Sequence, residues 1–194
     1  MAYEPAYGII GDPAKKNPTT RQSADHSMAY IISTLLRKSF ERHTQFEKEN
    51  SPEDIWKYLM LLPQDYSYNA IYNETTRKFM EKINFVYGGK EYDDQYPKGI
   101  PTSITIKTQN GNEYDSGMVL FPGGHAANET VSLTDILQNK FIRLGQLALE
   151  KEELVQFVLD LENIGEMTNE QLVNLYECNI KFAAESIDDE SKEA

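Results

Sequence analysis

The stretch Thr20–Lys38, TRQSADHSMAYIISTLLRK, decides how the chain begins to fold. A polar run passes into a helical pattern. Ser23 is a suitable N-cap, Asp25 stands in the first turn where the helix dipole favours an acid, and Met28, Ile31, Ile32, Leu35 and Leu36 recur at the spacing of an apolar stripe. The pattern predicts a helix from about Ala24 to Glu41 with that stripe toward the core. At ~100° per residue, His26, Tyr30, Ser33 and Arg37 fall within about 60° of one another on the opposite side. Such a face has three readings. It is a solvated surface, or it is buried against protein outside this chain, or it lines a cleft. In the last case Arg21 and Arg37 offer forked donors to carboxylates, and His26 or Tyr30 is placed for proton transfer.

On the N-terminal side, Pro5, Gly8, Gly11, Pro13 and Pro18 predict an irregular or extended segment over residues 1–20. On the C-terminal side, Ser51-Pro52 opens a helix of about ten residues with Ile55, Trp56, Leu59 and Met60 on its apolar side, which Pro63 ends. A third helix is expected from Glu74 to Lys82, a short strand from Ile83 to Tyr87, and a loop from Gly88 to Pro101. Alternating segments Ile104–Thr108 and Tyr114–Phe121 flank Asn110-Gly111, a dipeptide favoured in tight hairpin turns. Beyond Pro122-Gly123-Gly124 the pattern is helical, over about 133–147, 151–161 and 169–184, and from Ser186 it is an acidic, apolar-poor tail. The order helices, hairpin, helices predicts an α+β fold with a small antiparallel sheet packed with helices. The organisation expected is an α+β domain over 1–130, helices over 131–185, and a disordered tail over 186–194.

With 194 residues and 40% hydrophobic content, the chain suits one ordinary domain. A net charge of −12 argues against nucleic acid and anionic membrane as partners. The charge is uneven: residues 1–43 hold six basic and four acidic residues, and residues 145–194 three basic and thirteen acidic. An anionic small molecule would therefore be handled at the N-terminal end. The single cysteine, Cys178, forms no internal disulfide framework or CxxC metal site. No run approaches the ~20 apolar residues of a membrane span. His26, His43 and His125 stand too far apart to form a helix-borne metal pair, so no metal site is expected. His125, after Gly123-Gly124, reads as a turn histidine. Cys178 falls in a Glu-rich helical stretch that disfavours its thiolate, and covalent catalysis has no support.

Three stretches in order, NPTTRQSADHSMAYIISTLLRK from Asn17, LMLLPQDYSYNAIYNETTRKFMEKINFVYGGKEYDDQYPKGIPTSITI from Leu59, and YDSGMVLFPGGHAANETVSLTDILQNKF from Tyr114, resemble the MmgE/PrpD family. The likeness is nearest to its fungal 2-methylcitrate dehydratase type. Members are about two and a half times as long, and this chain resembles only their C-terminal part. The resemblance implies a small α+β domain followed by helices that join a helical domain built from the N-terminal portion, with the reaction pocket between the two. It implies a cofactor-free hydro-lyase that converts 2-methylcitrate to 2-methyl-cis-aconitate in propionate breakdown. It also implies a tricarboxylate substrate, homodimeric full-length relatives and, from the fungal members, a mitochondrial location. The main catalytic residues of the family belong to the portion this chain lacks. By the same resemblance Tyr7 lies near a tyrosine placed at the cleft; with it, Arg21, His26 and Tyr30 are the part of such a site visible in this chain, and Arg37, from the helix-face pattern, is a further candidate for binding substrate. Dehydration beside carboxylates needs a base, an acid for the departing hydroxyl and cationic donors, all from side chains. Alone, such a fragment is expected to be inactive. The alternative is a non-catalytic interaction module that pairs with a separate N-terminal half or an intact paralogue.

Overall fold

The computed structural model describes residues 1–41 and 52–181. The expectations for Ser51, His43 and the tail from Ser186 lie outside these residues. The fold is α+β, mostly helical with one two-stranded antiparallel sheet among the described residues. It divides into two compact units, one of Met1–Leu133 and a second beginning at Thr134.

In the first unit, the segment predicted to be irregular forms α1 (Glu4–Ile10) and a 3-10 turn over Pro13–Lys15. Pro5 sits in the first turn of α1, where its missing N–H costs nothing and its fixed φ suits a helix start; the Gly and Pro residues mark ends here, not absence of helix. The helix predicted over 24–41 is two helices, α2 (Arg21–Ala24) and α3 (Met28–Glu41). Thr20, not Ser23, is the N-cap of α2, and Ser23 closes a capping box with it. α4 (Pro52–Leu59) is followed by a 3-10 turn over Pro63–Tyr66, then α5 (Tyr68–Ile71) and α6 (Glu74–Met80), which Asn73 caps through two backbone N–H groups.

The burial of α3 reverses the expectation. Ala29, Tyr30, Ser33, Thr34 and Lys38 are its buried residues, whereas Met28 is exposed and Ile31, Ile32, Leu35 and Leu36 are only half-buried. The reason lies in the partner helix. α3 packs on α6, not on the sheet, and the small residues Ala29, Ser33 and Thr34 on α3 and Thr76 on α6 let the two backbones come close. The core so formed joins Ala24, Ala29, Tyr30, Ile71 and Met80, with Tyr66 and Phe85 packed against it.

Residues 83–86 form no strand; the chain there is held by residue 2 instead. Ala2 N–H donates to Val86 O at 3.2 Å, Gly88 N–H donates to Ala2 O at 2.8 Å, and Ala2 bridges both Tyr87 and Thr102. The expected loop after Gly88 contains α7 (Lys90–Asp93), whose Tyr92 is buried and donates to Ser103 Oγ at 2.8 Å. Gly88 is required at its position because a Cβ there would meet the Tyr92 ring at 2.4 Å. The hairpin is β1 (Thr105–Lys107) and β2 (Glu113–Asp115), in the register Thr105–Asp115, Ile106–Tyr114, Lys107–Glu113, with Gly111 at φ +83° in the turn. It is shorter than predicted and exposed on both strands.

The second unit holds α8 (Leu133–Gly145, whose first residue falls in the first unit), α9 (Lys151–Glu162) and α10 (Asn169–Asn174). Leu149, Leu154 and Leu175 are buried, and the Phe157 ring lies between Phe141 at 6.1 Å and Tyr176 at 5.7 Å. The helix expected over 169–184 stops at Asn174. Asn179 N–H donates to Glu153 Oε1 at 2.8 Å and Lys181 N–H to Ala148 O at 2.6 Å, so tertiary partners take the backbone out of the helical ladder. Cys178 consequently lies outside the helix.

Candidate functional site

The break between α2 and α3 builds the candidate site. Ser27 caps the second helix: its Oγ accepts from Tyr30 N–H at 3.2 Å and donates to Lys15 O at 2.5 Å, tying the turn to the preceding segment. His26 stands on the outside of this turn, with a side chain 74% exposed. Its Nδ1 lies 2.9 Å from Gln22 O and against the Asp25 carboxylate. Two acceptors at Nδ1 place a proton there and leave Nε2 to an incoming group. The hydrogen bond to the Gln22 carbonyl, together with the Asp25 carboxylate, raises the imidazole above its ordinary value, although Lys15 opposes the rise. With the ring protonated, His26 lies within the field of a second cation, Lys15, with Asp25 the counter-charge.

Tyr30 and Arg37 are placed differently. The Tyr30 ring is fully buried and its hydroxyl donates to Asp65 O at 2.5 Å; burial raises its pKa. Arg37 Nε donates to Thr76 Oγ1 at 3.0 Å across the α3–α6 contact, and its Nη1 pairs with Glu41. The face predicted to line a cleft or to meet protein outside the chain is thus covered by α6 and by the turn at Asp65. Sequence spacing ranks side chains by polarity, whereas this helix buries its polar side: Tyr30, Arg37 and Lys38 hydrogen-bond there, and the small Ser33 and Thr34 are buried with no hydrogen-bond partner for their hydroxyls among the described residues. Tyr7 is exposed, with its ring tilted against Tyr87 at 6.2 Å. No hydrogen bond or ring contact joins it to His26, Tyr30 or Arg37 among the described residues. The structure thus brings Tyr30 and Arg37 together on one buried face and leaves His26 at the head of the same helix.

Two residues that hold this arrangement escaped sequence reading. Lys38 Nζ donates to Asp65 Oδ2 at 2.6 Å and to Met60 O at 3.0 Å, and the same Oδ2 accepts from Leu62 N–H at 2.8 Å. Arg77 spreads its guanidinium over Ile71 O at 2.7 Å, Pro18 O at 2.6 Å and Asn17 Oδ1 at 2.5 Å, with its carbon 5.0 Å from the Tyr72 ring centroid. A long cation with helical spacing reads as surface, and only its distant backbone acceptors show otherwise. The available signal was the Asn17-Pro18 pair, which marks a turn in the sequence.

His125 closes its own turn, accepting from Ala127 N–H at Nδ1 (3.0 Å) and stacking on Phe121 at 5.0 Å. No group of three or more His, Cys, Asp or Glu side chains is arranged to hold a metal among the described residues, and no helix there is long and apolar enough to cross a membrane. No protein-family model, curated protein or solved structure matches the chain.

Proposed function

We propose that this chain is the C-terminal part of a hydro-lyase of the MmgE/PrpD type that dehydrates 2-methylcitrate to 2-methyl-cis-aconitate, and that it is inactive without the helical portion of such an enzyme. The in-order resemblance over residues 17–141 supports the reading, and the observation that carries it is the His26 imidazole: anchored at Nδ1, open at Nε2, and raised in pKa by Gln22 O and Asp25. An imidazolium held this way can donate a proton to a departing hydroxyl or bind a substrate carboxylate. Arg21, one turn earlier, supplies a planar donor for a second carboxylate. Tyr30 and Arg37 act in this reading by fixing α3 under His26. Tyr7, the homodimer and the mitochondrial location enter through the resemblance alone.

The test is a chimera in which this chain replaces the C-terminal part of an intact enzyme of the family. Turnover is expected, and His26→Ala is expected to lower kcat by ~10²-fold, the scale of a lost general acid. A chimera with undiminished turnover in both His26→Ala and Arg21→Ala would reject the assignment.

A second reading, a non-catalytic module that binds a separate N-terminal half or a paralogue, draws on the exposed Leu137, Phe141 and Leu144 at helical spacing on α8. A monodisperse, cooperatively melting sample favours the module. Aggregation with strong binding of a hydrophobic dye favours the orphaned enzyme part.

A further inference from the structure

The second unit contains a groove of about 320 Å³ lined on one side by Glu153, Phe157 and Asp160 of α9 and on the other by Met167, Leu175 and Glu177. That volume is at the small end of ligand clefts and is enough to take a few side chains of a docked element. Phe157, Met167 and Leu175 are apolar, and the charged side chains of the lining are all carboxylates. The lining positions 153, 156, 157 and 160 recur at helical spacing along α9, while the opposite wall is made by Gln171 and Asn174 at the end of α10 and by the non-helical stretch after it, Leu175 to Cys178.

We propose that this groove is a docking site for a basic amphipathic helix of a partner protein, whose apolar side chains enter between Phe157 and Leu175 while its Lys or Arg residues meet Glu153, Asp160 and Glu177. Charge selects this occupant. A second copy of the chain carries −12, and residues 182–194 hold five acidic residues and one lysine, so both are repelled as a whole. Anionic lipid and nucleic acid are repelled by the same carboxylates. The inference stands apart from the catalytic reading, which rests on the first unit.

Cys178 lines the groove and is the chain's single cysteine, so its alkylation reports on occupancy. The rate of modification by N-ethylmaleimide would be followed by mass spectrometry on the full chain. The probe is a Leu/Lys amphipathic peptide of about 15 residues, long enough to form helix; a Leu/Glu peptide of the same pattern is the control. The Leu/Lys peptide is expected to slow alkylation saturably by about threefold or more, and the control to leave it unchanged. Glu177→Lys and, separately, Asp160→Lys, each checked for an unaltered circular dichroism melt, should raise the half-saturating peptide concentration about tenfold. Equal protection by both peptides, no protection, or undiminished protection in both variants would overturn the proposal. So would protection that grows with the protein's own concentration in the absence of peptide, which would identify a second copy as the occupant.

Discussion

At the scale of single residues, placement of protons and charges decides what the molecule can do. The Gln22 carbonyl and, after it, the Asp25 carboxylate face His26 Nδ1 and raise the pKa of the folded imidazole above its ordinary value. The sign of the linkage follows: this interaction favours the folded state fully below the unfolded pKa and is lost as pH rises through the folded one. We expect the His26 Cε1–H resonance to titrate with a midpoint above 6.5, and Asp25→Asn to bring that midpoint down. A midpoint unmoved by the substitution would remove Asp25 as a contributor. Arg77 is the second residue whose geometry makes a definite claim. Arg77→Lys keeps the charge but cannot span Ile71 O, Pro18 O and Asn17 Oδ1 together, and should destabilise by about 2–4 kcal/mol in denaturant unfolding. A loss below ~0.5 kcal/mol, typical of a surface cation, would show that the clamp is not formed.

Among the elements, α3 is held by polar groups as much as by apolar ones. Lys38 and Asp65 have side chains 9% and 14% exposed, and Asp65 also satisfies Leu62 N–H. Removing only the acid leaves a cation and a backbone donor in a dry site, so Asp65→Ala should cost about 3–5 kcal/mol, while Lys38→Met with Asp65→Leu should cost clearly less than the single change. Equal losses in the two proteins would contradict the ion-pair account. Elsewhere, Gly88→Ala drives a methyl into the Tyr92 ring and should lose about 1–3 kcal/mol by thermal unfolding. An unchanged melt would mean that the Tyr92–Ser103 contact is not rigid. These elements also show what the amino-acid sequence made legible. The Asn110-Gly111 hairpin, the helices starting at Pro52 and Glu74, and the helical character after Leu133 rest on local signals that tertiary contacts did not override. The orientation of α3 was not legible, since Ser33, Thr34 and Lys38 are buried by partners on α6 and in the turn at Asp65, far away in sequence. Nor was the end of α10, where Glu153 and Ala148 draw Asn179 and Lys181 out of helical register. For the candidate site, the position of His26 at a helix head was readable from ADHS, but its separation from Tyr30 and Arg37 depended on a helix break at Ser27 that the continuous 3.6-residue pattern conceals.

For the whole molecule, each unit carries one feature of its own: the anchored His26 imidazole with Lys15 and Asp25 acting on it in the first, and a groove with three carboxylates in its lining in the second. The proposal made for each is tested without the other. The central proposal is that the first unit handles a polycarboxylate through His26 and Arg21. Its most direct test is nuclear magnetic resonance titration of the intact chain with 2-methylcitrate. The account predicts that saturating millimolar ligand raises the His26 midpoint further, because a bound carboxylate favours the imidazolium, and that Arg21→Ala abolishes the rise. A His26 midpoint that stays in place at saturating ligand, or a rise that persists in Arg21→Ala, would contradict it.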